Sequence, residues 1–209
     1  MIKALLLIFN PIGSWERIVR AQRSLPFILF VFLLPLVALS CAAEAYGLAT
    51  WGRWQGDIVG FQKMYSWPEV VGYETLQFGS SVLIVFVGAL LLKSLGETFH
   101  GRHAYTKTFT VAAYGLSPLF LLRVLDAFPA MPPWITWAIG ILLSVGVLYQ
   151  GVPRVMQPDP PHAFGLYLIS AMLLVMTSGL ARFVMTWWLQ GKFKKAETFL
   201  YDFIARLLF

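Results

Sequence analysis

Apolar residues do not alternate with polar ones along this chain; they gather into five blocks, each long enough to cross a bilayer, with short polar or aromatic stretches between them. A hydrocarbon core about 30 Å thick takes roughly 20 helical residues per crossing, and the backbone polar groups inside it must be satisfied within the segment, so each block predicts a transmembrane helix. The first covers 25–50, with Pro35 inside it and Trp51 and Trp54 just beyond as interfacial anchors. The second covers 76–98 and ends with Lys93 and Glu97 on one helix face. The third covers 104–125 and carries Gly115, Ser117 and Pro118 near its middle, where a lost backbone hydrogen bond predicts a kink. The fourth covers 132–151, from Pro133 at its start to Gly151 and Pro153 at its stop. The fifth, 163–190, closes on Trp187 and Trp188.

The remaining segments are amphipathic rather than merely polar. Residues 51–75 mix Trp51, Trp54, Phe61, Tyr65, Trp67 and Tyr73 with Asp57, Lys63, Glu69 and Glu74, which predicts a segment lying on the membrane surface. Residues 1–24 set Leu5, Leu6, Ile8, Phe9, Trp15, Ile18 and Val19 among Lys3, Arg17, Arg20 and Arg23, the pattern of short helices in the headgroup plane. Residues 191–209 repeat it with Phe193, Leu200, Phe203, Ile204 and Leu207 among lysines. The predicted fold is an all-α integral membrane protein: an interfacial basic segment over 1–24, a five-helix transmembrane domain over 25–190, and an amphipathic tail over 191–209.

Composition agrees with the pattern. Of the 209 residues, 58% are hydrophobic and 12% charged, with a mean hydropathy of +0.71, well beyond the roughly 45–50% apolar content of soluble domains. The net charge of +6 would suggest nucleic acid in a soluble chain, but the basic residues gather at block ends and in connecting loops, as topology signals and lipid contacts do. Lys3, Arg17, Arg20, Arg23, Arg102, Lys107 and Arg154 fall on the N-terminal side of a five-crossing protein. Arg53, Lys63 and Arg123 fall opposite, so the positive-inside rule predicts a cytoplasmic N-terminus. Lys192, Lys194, Lys195 and Arg206 in the tail run against that count. The single cysteine, Cys41, excludes an intramolecular disulfide and a cysteine-based zinc site. The first apolar run is short, is broken by Asn10 and Pro11 and lacks a small-residue cleavage site, so a cleaved signal peptide is not predicted.

Ionisable residues inside apolar blocks are the leading site candidates, because each costs about 2.5–3.5 kcal/mol on insertion scales. Glu44, Arg123, Asp126 and Arg182 qualify, and all four fall in the half of the bilayer away from the N-terminus. They predict one polar intramembrane cluster, serving either as structural pairing or as a headgroup site. Lys3, Arg17, Arg20 and Arg23 are candidates for contact with anionic lipid, each contributing about 1 kcal/mol near such a surface. His100 and His103, with Glu97 before them and His162 in another loop on the same side, have a spacing that can hold a metal; a solvated loop explains them as well, and no metal or other cofactor is predicted. The small residues Gly115, Ser117, Gly140, Ser144 and Gly146 predict close packing of the third and fourth blocks, with a hinge at Pro118 as the functional alternative. The chain has no Gly-x-Ser-x-Gly elbow, Walker-type loop or His-Glu-x-x-His motif, and an enzyme is not expected.

Three stretches carry a family resemblance. Asn10-Pro11 followed by Ser14-Trp15-Glu16-Arg17-Ile18, then HGRHAYTKTFTVAAYGLSP, then LYQGVPRVMQPDPPHA, stand in this order along the chain. Together they resemble the Yip-type family, multi-pass membrane proteins whose eukaryotic members interact with Rab GTPases and which has many bacterial relatives. His100 and His103 depart from it, standing where glycine or a small residue is usual. The resemblance implies a five-helix domain with a cytoplasmic N-terminus and an outward C-terminus; the trafficking role of eukaryotic members goes with a long polar N-terminal arm that these opening residues do not resemble. The function expected is a non-enzymatic, bacterial, inner-membrane protein that organises membrane or partner proteins, with membrane lipid as its partner, a membrane protein as a second, and no nucleic acid. The alternative is a transporter or lipid-translocating protein working through the outer polar cluster.

Overall fold

The computed structural model describes residues 2–55, 61–98 and 104–191. Five helices are long and apolar enough to cross a membrane: Leu25–Thr50, Trp67–Thr98, Tyr105–Ala127, Pro133–Met156 and Ala163–Leu189. We number these spans one to five. The tail beyond 191, with its predicted amphipathic helix, and the His100 and His103 loop lie outside the described residues.

Prolines shape the spans without ending them. In span one the turn over Ile28–Leu33 is π-helical, and Leu34 N–H reaches back five residues to Leu29. Pro35 follows directly and has no N–H to give, so the wider turn sits where the regular ladder is already broken. Span three breaks between Tyr105–Gly115 and Ser117–Leu122, at the predicted kink, and tightens into a 3-10 turn over Arg123–Ala127. Span four corrects the predicted stop at 151. It runs through Gly151 and Pro153 to Met156 and ends on Gln157 in the left-handed region, φ 45°.

The second correction concerns 51–75. Arg53–Gln55 and Phe61–Lys63 form a two-stranded antiparallel hairpin, β1 and β2, with Trp54 opposite Gln62, and Gln62 donates its side-chain amide to the Trp51 carbonyl. Span two then starts at Trp67, nine residues earlier than hydropathy alone predicts. Its cap explains the start: Ser66 donates its N–H (2.9 Å) and its hydroxyl (2.8 Å) to the Glu69 carboxylate, with Pro68 in the first turn.

Two short helices, Ile2–Phe9 and Pro11–Ala21, precede span one, and Asn10 caps the second by accepting the Gly13 N–H at 3.1 Å. Their apolar residues divide between two faces. Ala4, Leu7 and Trp15 are fully buried against the bundle, whereas Leu5, Phe9 and Ile12 face outward. The sequence predicts an apolar face resting on lipid; the structure instead holds Ala4, Leu7 and Trp15 against protein and leaves Leu5, Phe9 and Ile12 exposed. Spans three and four pack closely, as their small residues predict, with Gly115 under Leu148 and Gly140 against the backbone of Leu119, while Gly146 faces open space.

Candidate functional site: a buried charge network

The ends of all five spans remote from the N-terminal helices meet in one polar network. It begins at Gly47, where an added Cβ would strike the Ala127 carbonyl. This close approach of span one to the end of span three places Glu44, one turn back on span one, beside Arg123, one turn back on span three. Glu44 has no exposed surface. Its Oε2 pairs with Arg123 Nη2 at 2.7 Å and accepts from Arg123 Nε at 2.8 Å. Its Oε1 pairs with Arg53 Nη2 at 2.8 Å and accepts from the Tyr73 hydroxyl at 3.3 Å.

Arg123 also reaches span two, where Glu74 Oε2 lies 3.1 Å from Nη2 and Ser81 Oγ accepts from Nη1 at 3.3 Å. The hydrogen-bonding pattern assigns the Gln77 amide oxygen toward the same guanidinium, at 3.3 Å. Tyr73, Gln77 and Ser81 recur every four residues and so share one face of span two, with Glu74 beside them. Arg182 of span five pairs with Asp126 Oδ2 at 2.6 Å and donates to the Pro133 carbonyl at 3.1 Å. Thr136 of span four donates its hydroxyl to Asp126. Three carboxylates (Glu44, Glu74, Asp126) thus face three guanidiniums (Arg53, Arg123, Arg182), and the formal charges sum to zero. Burial of Arg53 disfavours its charge, but the Glu44 carboxylate outweighs that and holds its pKa above the ordinary arginine value.

The four sequence candidates Glu44, Arg123, Asp126 and Arg182 are all brought together here. Sequence reasoning missed Glu74, Arg53, Tyr73, Gln77, Ser81 and Thr136. Glu74 was legible through the Ser66-x-x-Glu69 capping box, which starts span two early enough to carry Glu74 into the bundle. The cavity beside the network measures about 40 Å³ and is walled by Gln77, Ser81, Arg123, Asp126, Thr136 and Arg182 among others. That volume accommodates about one water molecule, against roughly 300 Å³ or more for a small-molecule site.

The three motif stretches meet at the opposite end of the bundle. Trp15 donates its indole N–H to the Val147 carbonyl at 2.9 Å. Its ring lies on Gly151, where an added Cβ would collide with the indole. It also meets Tyr114 edge-on, with centroids 6.3 Å apart. Segments far apart in sequence form one joint, and the joint seats the N-terminal helices. The family model of the Yip1 domain matches residues 5–189, which includes all three motifs and the whole network. The chain belongs to the Yip1-domain family. No curated protein and no solved structure matches it.

In this Yip1 domain the basic candidates divide. Lys3, Arg17 and Arg23 line an open cavity of about 680 Å³ at the end of the bundle that carries the joint, together with Lys107 and Arg154. Arg20 does not line it; it points away and pairs with Glu16 at 3.5 Å on the exposed face of its own helix. Arg23 lies over the Phe27 ring, 4.7 Å from its centroid. His162 stands just before span five, and no metal-binding group of histidine, cysteine and acidic residues is found among the described residues.

Proposed function

We propose that this Yip1 domain is a non-enzymatic, multi-pass membrane protein that organises lipid or partner proteins around a rigid five-helix bundle, with its N-terminus in the cytoplasm and its place in the bacterial inner membrane. One observation carries this reading: the buried charges of spans one, two, three and five and of the hairpin's Arg53 are paired with each other, with Thr136 of span four bonded to Asp126, around a space of about 40 Å³. A translocation site keeps charges for its substrate and room for it to pass. Here both are taken up by the protein, which is the arrangement of a lock holding helices together.

Translocation of fluorescent phospholipid across proteoliposomes containing the purified chain tests the proposal. The expected outcome is no flux above protein-free vesicles, with Arg182→Gln lowering the unfolding temperature. Flux by the wild type that Arg182→Gln abolishes at matched folding would overturn it and establish the transporter reading.

A further inference from the structure

The cavity at the N-terminal end contrasts with the outer network in every respect. It is about 680 Å³ in volume and open. Its cations come from separate elements: Lys3 and Arg17 from the two N-terminal helices, Arg23 from the link to span one, Lys107 from span three and Arg154 from the end of span four. None of its lining residues is acidic, and among the described residues none of these five cations pairs with a carboxylate. The fold gathers five like charges at one opening and leaves them uncompensated. That arrangement costs free energy unless an anion sits among them.

The rest of the wall says which kind of anion. Leu6, Ile18, Ile28 and Val155 give the wall an apolar part, and Thr106 and Thr110 flank Lys107 along span three. A small inorganic anion gains nothing from the apolar side; an amphiphile uses both. The opening lies where spans one and three begin and span four ends, the level of lipid headgroups in a bundle of this length. The same N-terminal helices expose Leu5, Phe9 and Ile12, an apolar surface of the kind that amphipathic helices set into the headgroup region.

Backbone conformation marks the same place independently. Gln22 and Gln157 are the two non-glycine residues with positive φ among the described residues, at 39° and 45°, and both line this cavity. Each ends a helix in the left-handed conformation, a position that ordinarily takes glycine or asparagine. Strained non-glycine positions concentrate at binding sites, and here each one adds a side-chain amide to the wall.

We infer that this cavity binds the phosphate of an anionic phospholipid headgroup, with Lys3, Arg17, Arg23, Lys107 and Arg154 around the phosphate and the apolar wall along the first carbons of the acyl chains. The inference does not depend on whether the bundle moves lipid, because it concerns binding at the end remote from the charge network.

The test is calorimetric titration of the purified full chain in uncharged detergent with dioctanoyl phosphatidylglycerol, dioctanoyl phosphatidylcholine and inorganic phosphate. Phosphatidylglycerol should bind, and bind more tightly than either of the others. Lys107→Gln combined with Arg154→Gln should weaken it by roughly tenfold or more through loss of two charge-assisted contacts. Lys107 is exposed, so Lys107→Gln alone should keep the wild-type unfolding temperature and still weaken binding. Arg20→Gln, which removes a charge from the same region but not from the cavity, should bind as the wild type does. Inorganic phosphate matching phosphatidylglycerol would overturn the lipid assignment. Arg20→Gln weakening binding as much as Lys107→Gln would overturn the cavity in favour of diffuse surface charge, and so would unchanged binding in the double variant.

Discussion

At the scale of single residues, Glu44 decides how the half of the bundle remote from the N-terminal helices is held. It carries a charge with no exposed surface and meets two guanidiniums at 2.7–2.8 Å, so its removal leaves Arg123 and Arg53 buried with less than their compensation. Breaking one partner of a buried pair costs about 3–5 kcal/mol, far more than the pair contributes relative to a well-packed apolar substitute. Glu44→Gln and Arg123→Gln are each expected to lower unfolding free energy by about that amount, and the double variant by clearly less than the sum of the two. Equilibrium unfolding of the four proteins in bicelles measures the coupling, and additive losses would mean the two side chains act separately. The sequence exposed Glu44, Arg123, Asp126 and Arg182 because a charge within an apolar block is conspicuous. Arg53 stayed hidden because it lies in a stretch already rich in polar residues, where one more charge carries no signal, and Glu74 lies in the same stretch, marked only by the capping box ahead of it.

At the scale of elements, hydropathy placed the five spans but not all of their ends. An apolar window finds the part of a helix that faces lipid, and the ends of spans two and four are decided by other physics. Span two begins where Ser66 and Glu69 cap it, in a polar stretch that no hydropathy window accepts. Span four continues past Pro153 because tertiary packing holds its last turns, with Trp15 lying across Gly151 and hydrogen-bonded to Val147. The docking of the N-terminal helices was likewise unreadable: their periodic apolar residues show that a face is buried but not whether lipid or protein covers it. This contact yields a prediction of its own. Gly151→Ala puts a methyl group into the indole and forces Trp15 off its 2.9 Å bond, an overpacking expected to cost about 1–3 kcal/mol. The loss should be local. Hydrogen exchange is expected to speed up over Pro11–Ala21 while spans two and five keep their protection; equal loss across the bundle would show that the N-terminal helices and the spans open together.

At the scale of the whole molecule, the two ends of the bundle handle charge in opposite ways. One end closes three acids on three arginines and leaves about 40 Å³; the other presents five cations around about 680 Å³. With the N-terminus proposed as cytoplasmic, the segregation gives the positive-inside rule a structural form: the five cations of the cavity have no carboxylate partner among the described residues, while Arg53 and Arg123, counted for the opposite side, are neutralised by the fold. The proposed cytoplasmic N-terminus then predicts where single cysteines react. With Cys41 replaced by alanine, Asp159→Cys, in the loop between spans four and five, should be protected from a membrane-impermeant maleimide in intact cells and react once the membrane is opened. Met131→Cys, exposed in the loop between spans three and four, should react without opening. Exchange of Lys3, Arg17 and Arg23 for glutamine removes every side-chain cation ahead of span one that has no carboxylate partner and should leave a fraction of molecules inverted, seen as Asp159→Cys becoming reactive from outside. Labelling of Asp159→Cys in intact cells already in the otherwise unaltered chain would reverse the orientation, and with it the side of the membrane whose lipids the basic cavity meets.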